Sequence, residues 1–243
     1  GGIYNVGLGV VTIQNGSTVN GNTAADEGGG IYNGERLGFI NDTATVNITN
    51  STVNGNSAGT LGGGIFNEGP FDSNVTVNIT TSIIGSVAQP NTAAHGGGIY
   101  AAAQSATGFS NVNITNDSFV WNNSASGVGG GGIGIEATFD GTVNIVVTDS
   151  SISNNSAPAG QGGAIRNIAD SGGMTNITFT NSSMQSNVAA GDGGAIYSDS
   201  LFNFGDDGIT TIVLTNTLVQ LNTSGGNGGG VYMDSTLNAH DLR

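Results

Sequence analysis

A short glycine-rich motif returns through the chain at a nearly constant interval, and such a repeat constrains the fold before any single residue is considered. It reads Gly1-Gly2-Ile3-Tyr4-Asn5, then Gly28-Gly29-Gly30-Ile31-Tyr32-Asn33 and Gly62-Gly63-Gly64-Ile65-Phe66-Asn67. It returns at Gly96-Gly97-Gly98-Ile99-Tyr100 and, with an extra glycine, at Gly129 to Ile133. It softens to Gly162-Gly163-Ala164-Ile165 and Gly193-Gly194-Ala195-Ile196 and recurs last at Gly228-Gly229-Gly230-Val231. The aliphatic residue stands at positions 3, 31, 65, 99, 133, 165, 196 and 231, in steps of 28, 34, 34, 34, 32, 31 and 35. Units of that length cannot bury an apolar face alone and must stack on one another.

Two further elements share the period. One is an aliphatic residue, two variable residues and Asn: Val19…Asn22, Val53…Asn56, Val120…Asn123, Ile152…Asn155, Met184…Asn187 and Val219…Asn222. One copy departs from it, with Ser86 following Ile83. The other alternates, as in Thr45-Val46-Asn47-Ile48-Thr49, Thr76-Val77-Asn78-Ile79-Thr80 and Asn111-Val112-Asn113-Ile114-Thr115. Strict alternation of Val, Ile and Thr with polar residues is the pattern of a half-buried strand. The expected fold is therefore all-β: a right-handed, single-stranded parallel β-helix of about 31–35 residues and three short strands per coil. Going once around supplies the long crossover that parallel pairing needs. Val46, Val77, Val112 and Val143 should stack in one interior column, and Ile48, Ile79, Ile114 and Ile145 in another. Glycine before the aliphatic residue lets the chain adopt positive φ and lets coils approach closely. The Asn of the second element falls at a turn, where stacked side chains could bond along the column.

Composition fits one solenoid over residues 1–243, since no linker divides the chain. Hydrophobic residues make up only 36% of it, which suffices where alternating strands bury one face, and most of the 44 glycines fall in phase with the repeat. There is no Lys; Arg36, Arg166 and Arg243 stand against 17 acids, for a net charge of −14. That balance excludes a nucleic-acid binder, which needs cations to displace phosphate counterions. No apolar run is long enough to enter a bilayer directly. With no Cys, the fold is indifferent to redox compartment. The chain opens inside a repeat with no signal-peptide pattern, so an export signal is expected outside it.

The pairing of a Gly-Gly-Ala-Ile motif with a Phe or aliphatic residue, two variable residues and Asn resembles the repeats of chlamydial polymorphic outer membrane proteins. It is similar as well to secreted right-handed β-helix surface proteins. Gly162-Gly163-Ala164-Ile165, Gly193-Gly194-Ala195-Ile196 and Phe119-Val120-Trp121-Asn122 carry the resemblance. It implies a surface-exposed or secreted β-helix with an adhesive or structural role, and the expected function is that of a non-enzymatic extracellular, cell-surface protein.

The alternative class is a carbohydrate-active β-helix enzyme, a polysaccharide hydrolase or lyase. Asp206-Asp207 is similar to the paired aspartates of polygalacturonases, but the companion Asn-Thr-Asp and Arg-Ile-Lys triplets are missing and His95 precedes the pair. No catalytic residue is assigned. Ca²⁺ is the one cofactor considered, through acids at corners: Asp26-Glu27, Asp192, Asp199 and Asp206-Asp207. The residue after the glycine-led aliphatic forms an outward column of Tyr4, Tyr32, Phe66, Tyr100, Tyr197 and Tyr232, interrupted by Gly134 and Arg166. Such a column can stack on glycans or a lateral neighbour, or simply stabilise its own sheet. Asn47, Asn78 and Asn113 lie in Asn-x-Thr sequons facing outward and are eligible for N-glycosylation. The expected partners are further copies of the chain in a homopolymer or surface array, since an uncapped coil is an open strand edge. Glycans, or host or cell-surface molecules, are the remaining candidates.

Overall fold

The structure is a computed structural model and describes residues 1–34, 43–203 and 206–235, with the side chains of 202, 203, 206 and 235 apart. It is an all-β parallel solenoid. The eight aliphatic residues after the glycines lie on consecutive rungs of one sheet, from Ile3 opposite Ile31 through Ile65, Ile99, Ile133, Ile165 and Ile196 to Val231.

Each of the six coils that start at Ile3 through Ile165 carries four strands, not three. In the coil that starts at Ile65 they are Ile65–Gly69, Asn74–Thr80, Ile83–Ile84 and Thr92–His95, each on its own sheet. The aliphatic-x-x-Asn element is where the expectation fell short. A residue with left-handed backbone, such as Gly55, Asn122, Asn154 or Ser186, turns the chain just before the Asn. The two or more residues beyond it, for example Ser156–Ala157, then pair as a short fourth strand. An isolated two-residue strand would not persist, but one that pairs above and below and buries its Ala does.

The alternating strands behave as β-branched alternation demands. Val46, Val77, Val112, Ile48, Ile79 and Ile114 are fully buried, and Val77 stacks on Val112 and Ile79 on Ile114. At the next coil the expected columns fail. Val112 lies opposite Ile145 and Ile114 opposite Val147, while Val143 lies opposite Ser110. The strand Thr142–Thr148 has slid by two residues relative to its Thr-Val-Asn-Ile motif. A two-residue slip keeps every side chain on its own face, so the core survives it. Register is set instead at the strand's end, where Asp149 takes positive φ and Ser150 enters a buried serine ladder. There the Ser51, Ser82, Ser118 and Ser150 amides donate to the hydroxyls of Ser82, Ser118, Ser150 and Ser182 at 3.1–3.2 Å.

Asparagine holds the next corner, at the other end of the third strand. Asn22, Asn56, Asn91, Asn123, Asn155, Asn187 and Asn222 form one ladder, each side-chain amide donating to the Oδ1 of the next at 2.9–3.1 Å. From Asn56 onward the same amides reach back to main-chain carbonyls of the preceding coil, from Val19 to Met184. The coil that breaks the motif does not break the ladder. Its buried aliphatic is Ile84, opposite Val53, and the ladder place of Ser86 is taken by Asn91, across four extra residues. A second buried ladder joins Asn5, Asn33 and Asn67 on the first sheet, at 2.7 Å per step.

Candidate functional site

The outer face of the first sheet carries the aromatic column. Tyr4 and Tyr32 stack with centroids 4.8 Å apart, Tyr32 and Phe66 at 5.1 Å, and Phe66 and Tyr100 at 6.0 Å; Tyr197 and Tyr232 stack at 5.6 Å. These spacings are those of strands one rung apart, so the column follows from parallel register alone. Its exposure is uneven. Tyr4 is 67% exposed and Tyr32 and Tyr232 are half-buried, whereas Phe66, Tyr100 and Tyr197 are buried. The last three offer little surface to a ligand laid along the column.

Each phenol between Tyr32 and Tyr232 leans on a carboxylate. Tyr32 Oη donates to Glu68 Oε2 at 3.5 Å, Tyr197 Oη to Asp199 Oδ2 at 3.0 Å and Tyr232 Oη to Asp234 Oδ2 at 3.1 Å. Tyr100 donates to Glu136 in the next coil. Burial, reinforced by these carboxylates, raises the Tyr32 and Tyr100 phenols well above their usual range and Tyr197 to about 12. Tyr232 is raised by its bond to Asp234. Asp199 is raised by burial, against the pull of the Tyr197 hydroxyl.

Where the column lapses there is a cleft. Tyr100 lies opposite Gly134, and Gly134 opposite Arg166. The Tyr100 ring tilts over Gly134, so that a Cβ there would lie 2.6 Å from Tyr100 Cδ2. The resulting cleft is about 310 Å³ in volume. Leu61 and His95 enter it from the corner before the glycines, and Val128 from the next coil's fourth strand; Glu136, Ile168, Asp170 and Leu201 enter from the far end of the first sheet. Arg166 is the one Lys or Arg among the described residues, and its Nε is buried without a hydrogen-bond partner. His95 is half-buried, and burial, with Arg166 nearby, lowers its pKa. The interruption at Gly134 and Arg166 was visible in sequence. That His95, Glu136 and Asp170 meet it was not, because they lie on other coils or other rows of the same sheet.

A second, more open groove of about 380 Å³ runs along the corner between the second and third sheets. Asp117, Asp149, Asn181 and Asn216, all with positive φ, form its rim, and Phe119 and Leu218 close its ends.

The sequon residues Asn47, Asn78 and Asn113 do face outward, but they bond to one another, Asn78 to Asn47 at 2.9 Å and Asn113 to Asn78 at 2.8 Å. A glycan on Asn78 or Asn113 would sit on the nitrogen that donates in that ladder, whereas Asn47 only accepts in it. Sequon residues at tight corners, Asn50, Asn116 and Asn181, are exposed instead. The corner acids are dispersed: Asp192 accepts from the Asn227 amide and Asp199 from Tyr197. Glu27 is half-buried, with its pKa raised by burial and by Asp26. Asp206–Asp207 forms a short strand antiparallel to Phe202 and Asn203. Among the described residues no three acids or histidines converge to hold a metal ion, and no helix is long and apolar enough to cross a membrane. Arg36, Arg243 and the sequon residue Asn41 lie outside the described residues.

Three segments, residues 16–34, 149–173 and 181–199, match the Chlamydia polymorphic membrane protein repeat. Together they span about a quarter of the chain. Each runs from the third strand through the Asn corner and the glycines into the first sheet, so the matched unit is the half of the coil that holds the Asn ladder. The literal Phe119…Asn122 motif is not that unit: Val120 and Asn123 are its buried members, while Phe119 is 42% exposed. No curated protein and no solved structure matches the chain.

Proposed function

We propose that coils of this surface-protein type make the chain a non-enzymatic, adhesin-like scaffold at a bacterial cell surface. The observation that carries this reading is the Asn ladder from Asn22 to Asn222, which runs through every intervening coil, including the one whose sequence motif is broken. An interior so thoroughly committed to hydrogen bonding along the stack makes a stiff rod. The working surface is then the outer faces and the variable connections between the first and second sheets. Self-association belongs to the same proposal.

The test displays the chain on a non-adherent bacterium and counts cells retained on epithelial monolayers. Display of the folded chain should raise retention several-fold over display of an unfolded variant. Equal retention, or turnover of a polysaccharide by the purified chain that Asp206→Asn abolishes, would overturn the reading.

A further inference from the structure

We infer that the cleft at Gly134 and Arg166 is a binding site for an uncharged sugar ring. The aromatic column defines what is missing there. Tyr100 is followed by two rungs without a ring, at Gly134 and Arg166, before Tyr197 resumes the column. Two rungs span roughly 10 Å along the stack. The volume of about 310 Å³ is at the small end of ligand clefts and suits one or two pyranose rings.

The polar groups select the ligand's charge. Arg166 presents a donor, its buried Nε, that nothing in the structure satisfies. Glu136, whose Oε2 accepts from Tyr100, and Asp170, whose Oδ1 accepts from Ser171, bring two carboxylates to the same cleft. A carboxylate ligand would meet two acids for one guanidinium, in a chain of net charge −14. A cation would meet Arg166, which is charged at every accessible pH. A polyhydroxylated, uncharged ligand donates to the carboxylates and accepts from the guanidinium, so it satisfies both. Leu61, Val128 and Ile168 provide an apolar wall for the C–H faces of such a ring. Tyr100, buried and tied to Glu136, holds that carboxylate in place.

This names a ligand class for the adhesive reading and rests on that reading for its biological role, but not for whether binding occurs. The test titrates the purified full chain with methyl glucosides, galactosides and mannosides and with N-acetylglucosamine, followed by saturation-transfer NMR and calorimetry. At least one neutral pyranoside should bind, and Arg166→Gln and Glu136→Gln should each weaken it roughly tenfold or more, with the circular-dichroism spectrum of the folded chain unchanged. Absence of binding by every neutral sugar overturns the inference. So does binding that neither variant weakens, or tighter binding of glucuronate than of glucose. Loss of sugar binding in Arg166→Gln with cell retention intact would leave the adhesive scaffold standing and remove only the sugar's role in it.

Discussion

At Gly97 an added Cβ would lie 2.3 Å from the Ser124 carbonyl oxygen and 2.7 Å from that of Gly131. Both atoms belong to backbone that cannot swing aside. Gly96 has a different constraint, φ of 60°, shared by Gly28, Gly62, Gly130, Gly162, Gly193 and Gly228 at values of 60–70°. Gly98, the third of the run, has neither fault to the same degree, since Ala164 and Ala195 occupy its place in later coils and are fully buried. Gly97→Ala is therefore expected to cost about 2–3 kcal/mol, the upper part of the overpacking range, and Gly98→Ala clearly less. Thermal denaturation followed by circular dichroism gives the order directly. Equal losses at the two positions would mean that backbone crowding is not what keeps the second glycine.

The Asn ladder acts as an element, and its worth lies in what it satisfies. Asn155 Oδ1 accepts from the Asn123 amide N–H at 3.0 Å and from its side-chain amide at 3.1 Å, while Asn155 Nδ2 donates to the Val120 carbonyl at 2.9 Å. Removing the side chain leaves those groups buried and unpaired, at about 1–3 kcal/mol each. Asn155→Ala is expected to destabilise the chain by roughly 3–5 kcal/mol, a large fraction of a typical domain's stability. Chemical denaturation checks it. A loss under about 1 kcal/mol would show that water or a neighbouring rung takes over.

For the molecule as a whole, alkaline pH tests the packed outer face of the first sheet. The chain has no Lys and no Cys, so above neutral pH its tyrosines dominate titration. Burial and the adjoining carboxylates raise Tyr32 and Tyr100, and Tyr197 reaches about 12. A raised folded-state pKa means that the folded chain keeps protons the unfolded chain has lost. The associated stability is complete below the unfolded value of about 10 and is lost as pH rises through the folded value. The melting temperature should hold from neutrality to near pH 10 and fall steeply toward 12. Tyr197→Phe should soften that fall, and a flat profile through the whole window would contradict the packing described for these rings.

Sequence by itself determined the stacking. The period, the in-phase glycines, the alternation around Val77 and Ile79 and the Asn at a corner are local signals, and each rung repeats the same local chemistry. Burial of Ile31, Ile65, Ile99 and Ile133 follows from them. Three things were decided only in the tertiary structure. The fourth strand exists because pairs such as Ser156 and Ala157 have neighbours above and below, which no single coil supplies. The register of Val143 and the substitution of Asn91 for Ser86 were settled by corners: a turn residue and its ladder must align between coils, while the strand or loop beside them can slide or bulge. The cleft depends on relations between coils, because Gly134 matters only through the Tyr100 ring leaning over it and Arg166 only through the acids it faces. A repeat sequence specifies each rung well, but a departure from the repeat acquires its chemistry from the rungs on either side.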